Sequence, residues 1–156
     1  MKTKNIKEFF EIKKCRSGSL ESYSAGDTPF VSSTTLNNGV EKFVESVNNN
    51  EIIKEVPCIA MSGFGFCTIQ TEPFIGAGNN GAYVKALVPK TPMSLVELTW
   101  YASQINLQSW RFSYGRLAIK ERSNKLNLIE FCLKENETAN FKKTITKNIT
   151  NTAKIV

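Results

Sequence analysis

The stretch Val56–Gln70, VPCIAMSGFGFCTIQ, decides the fold class. VPCIAMS is a short apolar run with no room for a polar face, the pattern of a strand buried on both sides. GFGFCTIQ then alternates, with glycines as punctuation between aromatic and β-branched residues. Working outward, GAGNNGA over 76–82 predicts a loop and YVKALV over 83–88 a further strand. A sheet therefore forms the body of the protein. The expectation is an α+β (mixed α/β) fold: a single compact domain with a twisted, largely antiparallel sheet, a helix near 94–109 and long polar loops.

The helix follows from Ser94 and Glu97, an S-x-x-E capping box. Leu95, Leu98, Ala102 and Ile105 then recur at three- and four-residue spacing. Toward the N-terminus, IKEFFEIKK (6–14) fits either a short helix or an entering strand, and RSGSLESYSAGD (16–27) reads as a Ser/Gly-rich surface loop. PFVSSTTLNNGVEKFVES gives a β-type run, a polar cluster Ser32–Thr35 and a tight turn at Asn38-Gly39. Arg111 to Tyr114, if extended, would send Phe112 and Tyr114 to one face. Residues 116–124 suggest a short helix with Arg116 and Lys120 as i, i+4 neighbours. LNLIEFCL (126–133) predicts a last strand. The expected organisation is a recognition domain over 1–133 and a polar C-terminal tail over 134–156, helical or partly disordered.

At 156 residues the chain has the length of one domain with a real core. Its 41% hydrophobic and 22% charged residues are those of a soluble globular protein. No apolar run has the length of a membrane span, and MKTKNIKEFFEIKKC lacks the apolar core of a signal peptide. A cytoplasmic location is expected. The net charge of +6 favours an anionic partner. Cys15, Cys58, Cys67 and Cys132 lie far apart with no CxxC pair, and the chain has no histidine, so a zinc site is excluded and the thiols are expected to be reduced and mostly buried. The absent histidine also removes Ser-His and Cys-His nucleophiles. Asp27 is the only aspartate, so a magnesium site would need glutamates alone. No cofactor and no enzymatic activity are expected.

Four segments carry candidate chemistry. Gly76, Gly78 and Gly81 match G-x-G-x-x-G, but the strand-like AYVKALV follows where a dinucleotide fingerprint needs a helix, so a close-packed turn is expected. SGFGFC (62–67) is read the same way. The loop SSTTLNN (32–38) offers hydroxyls and amides able to bond phosphates or base edges, although an ordinary hairpin end explains it too. In RFSYGRLAIKER (111–122) the chain places three of its four arginines, against sixteen lysines overall. Arginine's planar five-donor fork grips phosphates and guanine edges bidentately and stacks on rings. From Arg111 to Lys125 five basic residues oppose only Glu121. Candidate DNA contacts are therefore Ser32, Ser33, Thr34, Thr35, Asn37, Asn38, Asn79, Asn80, Arg111, Ser113, Tyr114, Arg116, Lys120, Arg122 and Lys125. A solvated charged face is the plain alternative.

FFEIKK, GDTPFVSSTTLNNGVEKFVE, the SGFGFC to PFIGAGN block and WRFSYGRLAIKER resemble, in the same order from Ile6 to Phe131, the target recognition domain of restriction-modification specificity subunits and of fused methyltransferase-endonucleases. The F-S-Y-G-R and P-F-V-S-S-T-T-x-N-N-G-V elements are its most specific parts. The resemblance implies a mixed α/β domain that reads part of a double-stranded DNA target for an adenine-specific methyltransferase subunit, with a restriction subunit as a further partner. The partner would flip the base and bind S-adenosylmethionine; this chain has no N-P-P-Y or D-P-P-Y motif of its own. It departs from a full specificity subunit in having one domain, no heptad pattern in its tail and no proline closing LNLIEFCL. Two copies pairing as a homodimer would imitate a two-domain subunit. Rival expectations are a protein-interaction subunit that docks a partner enzyme without reading DNA, and a small metal-dependent nuclease using Glu130 and Lys134.

Overall fold

A computed structural model describes residues 2–46, 48–78 and 84–132. In chain order the elements are β1 (Thr3–Asn5), α1 (Ile6–Phe9), β2 (Phe10–Lys14), β3 (Ala25–Val31), β4 (Val40–Val44), β5 (Ile52–Ile53), β6 (Cys58–Met61), β7 (Cys67–Gln70), β8 (Phe74–Gly76), β9 (Lys85–Pro89), α2 (Leu95–Leu107), α3 (Lys120–Ser123) and β10 (Asn127–Ile129). Single 3₁₀ turns occupy Leu20–Ser22, Asn37–Gly39 and Ser109–Phe112.

The strands form a central antiparallel sheet in the order β2-β9-β6-β7, a second sheet β4-β3-β8-β5, and a small β1-β10 pair. All pairings are antiparallel except β3 with β8. The side-chain alternation of the inner strands explains the layering. Ile59, Met61 and Leu87 join Leu98, Tyr101, Ala102 and Ile105 of α2 in one core. Their neighbours Cys58, Ala60, Val84 and Ala86 face the opposite way, onto Val31, Ile53 and Phe74 of the second sheet. The central sheet is thus covered on both faces, which is why β6 is apolar throughout. Phe30, Val44 and Ile75 face the far side of the second sheet.

The helix forms where its capping box predicts. Ser94 accepts from the Glu97 amide, and the Glu97 carboxylate accepts in return from the Ser94 amide. Ser94→Ala is expected to cost about 1 kcal/mol, read as a fall in Tm of roughly 2–4 °C with duplex binding unchanged. Gln104 extends the β10 ladder, donating to the Ile129 carbonyl at 3.0 Å and accepting from its amide at 2.6 Å.

Several local expectations are corrected. The loop expected over 16–27 gives way at Ala25, where β3 begins and carries Pro29 inside it. Pro29 lacks a donor, but β8 pairs with β3 only at Phe30 and Val31 and β4 pairs through an irregular register, so the ladder accommodates it. Segment 6–14 is both alternatives in succession, one helical turn and then β2. Arg111–Phe112 are not extended: they continue the 3₁₀ turn that follows α2, because the Gln108 carbonyl accepts from the Arg111 amide. Phe112 and Tyr114 consequently part company, one buried and the other in solvent. The helix expected over 116–124 is confined to Lys120–Ser123, so Arg116 and Lys120 are not helical neighbours. The last strand covers only Asn127–Ile129. The tail 134–156 lies outside the described residues.

Among the described residues no helix is long and apolar enough to cross a membrane, and no group of side chains could hold a metal ion. Cys15, Cys58 and Cys67 are buried free thiols and Cys132 is exposed. Burial pushes the Cys15 and Cys58 thiols up to about 12, so neither is a nucleophile near neutral pH.

Candidate nucleic-acid interface

The basic segment is fastened at Phe112 and Ala118, and again past them at Ser123, which is buried and donates to the Ala118 and Ile119 carbonyls. Phe112 is buried against Gly65 in the turn joining β6 to β7, and the Ala118 amide donates to the Gly63 carbonyl at 2.6 Å. That turn is itself closed by Ser62, whose Oγ accepts from the Phe64 and Phe66 amides. Between the anchors the chain makes a knuckle. The Arg116 amide donates to the Ser113 carbonyl at 3.2 Å, and Tyr114 and Gly115 both have positive φ, 53° and 76°, as a primed turn requires. Gly115 suits that conformation; a tyrosine in it is strained by about 1–3 kcal/mol. Tyr114 is 100% exposed, and nothing lies within 4 Å of a Cβ placed on Gly115.

Arg111, Arg116, Lys120, Arg122 and Lys125 are all exposed. Arg111 donates to the Gln108 side chain at 3.0 Å and Arg122 to the Leu117 carbonyl at 3.1 Å. Both guanidinium groups keep further donors. Among the described residues none of the five is in a salt bridge. Ser113 Oγ donates back to the Trp110 carbonyl at 2.7 Å. Beside them stand aromatics that the sequence did not single out as contacts: Trp110 is 72% exposed, and Phe64 and Phe66 are partly exposed on the neighbouring turn. The glycine alternation in GFGFC was the available signal, since glycines around an unburied aromatic free the backbone to present it.

The loop 32–38 has a different support. The Ser32 amide donates to the Gly39 carbonyl, and the Ser32 and Thr34 hydroxyls accept from the Thr34 and Leu36 amides. Asn37, Asn38 and Gly39 all have positive φ. Asn38 is pinned to β7: its amide donates to the Ile69 carbonyl at 2.7 Å, while Gln70 donates to the Asn38 carbonyl at 2.9 Å. Ser32, Ser33, Thr34 and Asn37 line an open surface depression, and Thr35 is exposed. The two candidate segments reach opposite ends of β7, roughly 10 Å apart along the strand. Asn79 and Asn80 lie outside the described residues.

Among the described residues, the element that follows the glycine-rich G-x-G-x-x-G match is the strand β9 and not a helix. Gly76 and Gly78 are instead points of close packing against Cys15 and Ser17. Glu130 is ion-paired with Lys4, which holds its carboxyl below the usual range, and Lys134 lies outside the described residues.

The model of the type I restriction modification DNA specificity domain family matches residues 1–154. No curated protein matches the chain significantly. Among solved structures, an HsdS subunit from Thermoanaerobacter tengcongensis is similar with a TM-score of 0.60 and 10% identity, over 81% of this chain and 32% of that one. A type I restriction-modification system S subunit from M. genitalium gives 0.52 and 14% identity, over 81% of this chain and 33% of that one. The chain thus spans about a third of the length of these two subunits, and at such identities the likeness is one of fold. With nearly its whole length matched, this chain belongs to the family of type I restriction modification DNA specificity domains.

Proposed function

We propose that this domain reads part of a double-stranded DNA target for a restriction-modification methyltransferase, without turnover of its own. The observation that carries the reading is the Tyr114-Gly115 knuckle: a strained, fully exposed tyrosine between two exposed arginines that form no ion pair among the described residues. Strain at an exposed bulky residue serves no packing purpose, and such positions concentrate where a ligand is met. Arg111 and Arg116 supply forks for base edges or phosphates, and Lys120, Arg122 and Lys125 add positive charge along a sugar-phosphate backbone. Ser32, Ser33, Thr34, Thr35, Asn37, Asn38, Asn79, Asn80 and Ser113 are proposed as further polar contacts. Adenine methylation belongs to the partner subunit, and a restriction subunit would act on the same assembly. Two copies related by a two-fold axis would present two such surfaces to one duplex.

Arg111→Ala or Arg116→Ala is expected to weaken binding to the cognate duplex by about 1–3 kcal/mol and to relax specificity at one position. Lys125→Ala, acting on phosphate, is expected to weaken all duplexes alike and lower the salt slope by about one. The check is affinity at two salt concentrations for duplexes selected from a random pool and for their scrambled versions. Equal, salt-insensitive affinity for both would overturn the reading.

A further inference from the structure

Lys85 is a charged side chain in an improbable place. It lies on the inner strand β9, is 3% exposed, and has neither a salt bridge nor a side-chain hydrogen bond among the described residues. Its antiparallel partner on β2 is Lys14, directly opposite and so on the same face. Two like charges in that relation are destabilising, and burying nearly all of the side chain without a paired charge adds to the cost. The cost of burial, larger than the help from any neighbour, holds the Lys85 ammonium down to about 8, with Lys14 lowering it further and Glu121 acting the other way. Nothing in the sheet requires a lysine there: Ala86 and Leu87 beside it show that the strand takes apolar residues.

The side chain lines a cavity of about 380 Å³ that Lys14, Cys15, Arg16, Ile119 and Lys120 also border. That volume is in the range of small-ligand sites. Four cations thus converge on one concavity from three parts of the chain. Glu121 is the one carboxylate with a resolved influence on Lys85, and the thiol of Cys15, pushed up to about 12, stays neutral.

We propose that this cavity is a phosphate-binding site, with Lys85 as its buried cation and Lys14, Arg16 and Lys120 closing around the anion. A multiply charged oxyanion suits it because several cations of one sign must be offset at once, and the arginine fork matches phosphate bidentately. The phosphate could come from the DNA backbone, since Lys120 belongs both to the cavity and to the proposed duplex surface, or from a free phosphate ester. Only the first source rests on the DNA-reading proposal.

The test is thermal unfolding of the full chain titrated with inorganic phosphate at constant ionic strength, alongside the salt slope of duplex binding, in the wild type and in Lys85→Met. Methionine keeps the apolar stem and removes the buried charge, so folding should survive; the exposed Arg16→Gln and Lys120→Gln provide the same readouts should it not. A bound anion raises Tm saturably. In the substituted protein we expect the phosphate concentration needed for that rise to increase about ten- to hundredfold, or the duplex salt slope to fall by about one. The first result alone identifies a free phosphate ester, and the second a backbone phosphate. If neither quantity differs from wild type, the site does not exist. Absence of sequence-specific duplex binding by the wild type would defeat the DNA-reading proposal while the phosphate titration still decides the cavity.

Discussion

Phe112→Ala is expected to destabilise the protein by about 3–5 kcal/mol and to abolish discrimination between cognate and scrambled duplexes at temperatures where the fold persists. Phe112 is 3% exposed and belongs to the main core with Ile105 and Ala118. Its loss creates a cavity, and it also removes the side chain that ties the arginine-bearing segment to the body. The neighbouring anchor, Ala118 on the Gly63 carbonyl, cannot by itself orient a knuckle whose tip touches nothing. The ring lies so close to Gly65 that a Cβ there would stand 2.3 Å from Phe112 Cδ2. Gly65→Ala should therefore be strongly destabilising alone, from this clash and from a φ of +80°, yet cost less in the Phe112→Ala background, where only the backbone strain of about 1–2 kcal/mol remains. Chemical denaturation of the two single variants and the double variant gives the coupling energy. Additive effects, or a cost of Phe112→Ala below about 1 kcal/mol, would show that the ring is not the anchor.

What the sequence made legible follows the range of the forces concerned. α2 was placed within two residues because a capping box and a three-to-four periodicity are local signals. The buried strand β6 was legible because residues covered on both faces leave no polar face to mistake. The turn at Asn38-Gly39 was announced by its own residues, both with positive φ. By contrast, the assignment of β3 to a second sheet depends on β8, more than forty residues away in the chain, and Ser, Gly and Pro in its neighbourhood argue for a loop until that partner is known. The 3₁₀ turn at Ser109–Phe112 depends on Gly65 offering a bare Cα to the Phe112 ring. Exposure of the arginines was legible from composition. The burial of Lys85 was not, because YVKALV gives no sign that the opposing strand residue is Lys14.

Gly76→Ala is expected to cost about 3 kcal/mol, the upper end of what an added methyl does in a well-packed core, although alanine is the mildest possible change and β8 needs no special backbone angle there. Gly76 pairs with Val31 in the second sheet. A Cβ on it would lie 2.2 Å from Cys15 Sγ, 2.9 Å from Cys15 Cβ and 3.3 Å from Val84 Cγ1, which puts the clash on side chains of the central sheet and its flank. The missing side chain is what lets the two sheets close on each other. Cys15→Ala removes the sulfur but leaves its Cβ in place, so the double variant should recover part of the loss, and denaturation midpoints measure how much. A glycine that served a dinucleotide would behave oppositely, with nucleotide binding lost and stability nearly kept. Cys15 also borders the cavity around Lys85, so a methyl that displaces it should shift the phosphate dependence of Tm as well as Tm itself. If Gly76→Ala left stability and the phosphate response both at wild-type levels, the close approach of the sheets at this point would be refuted.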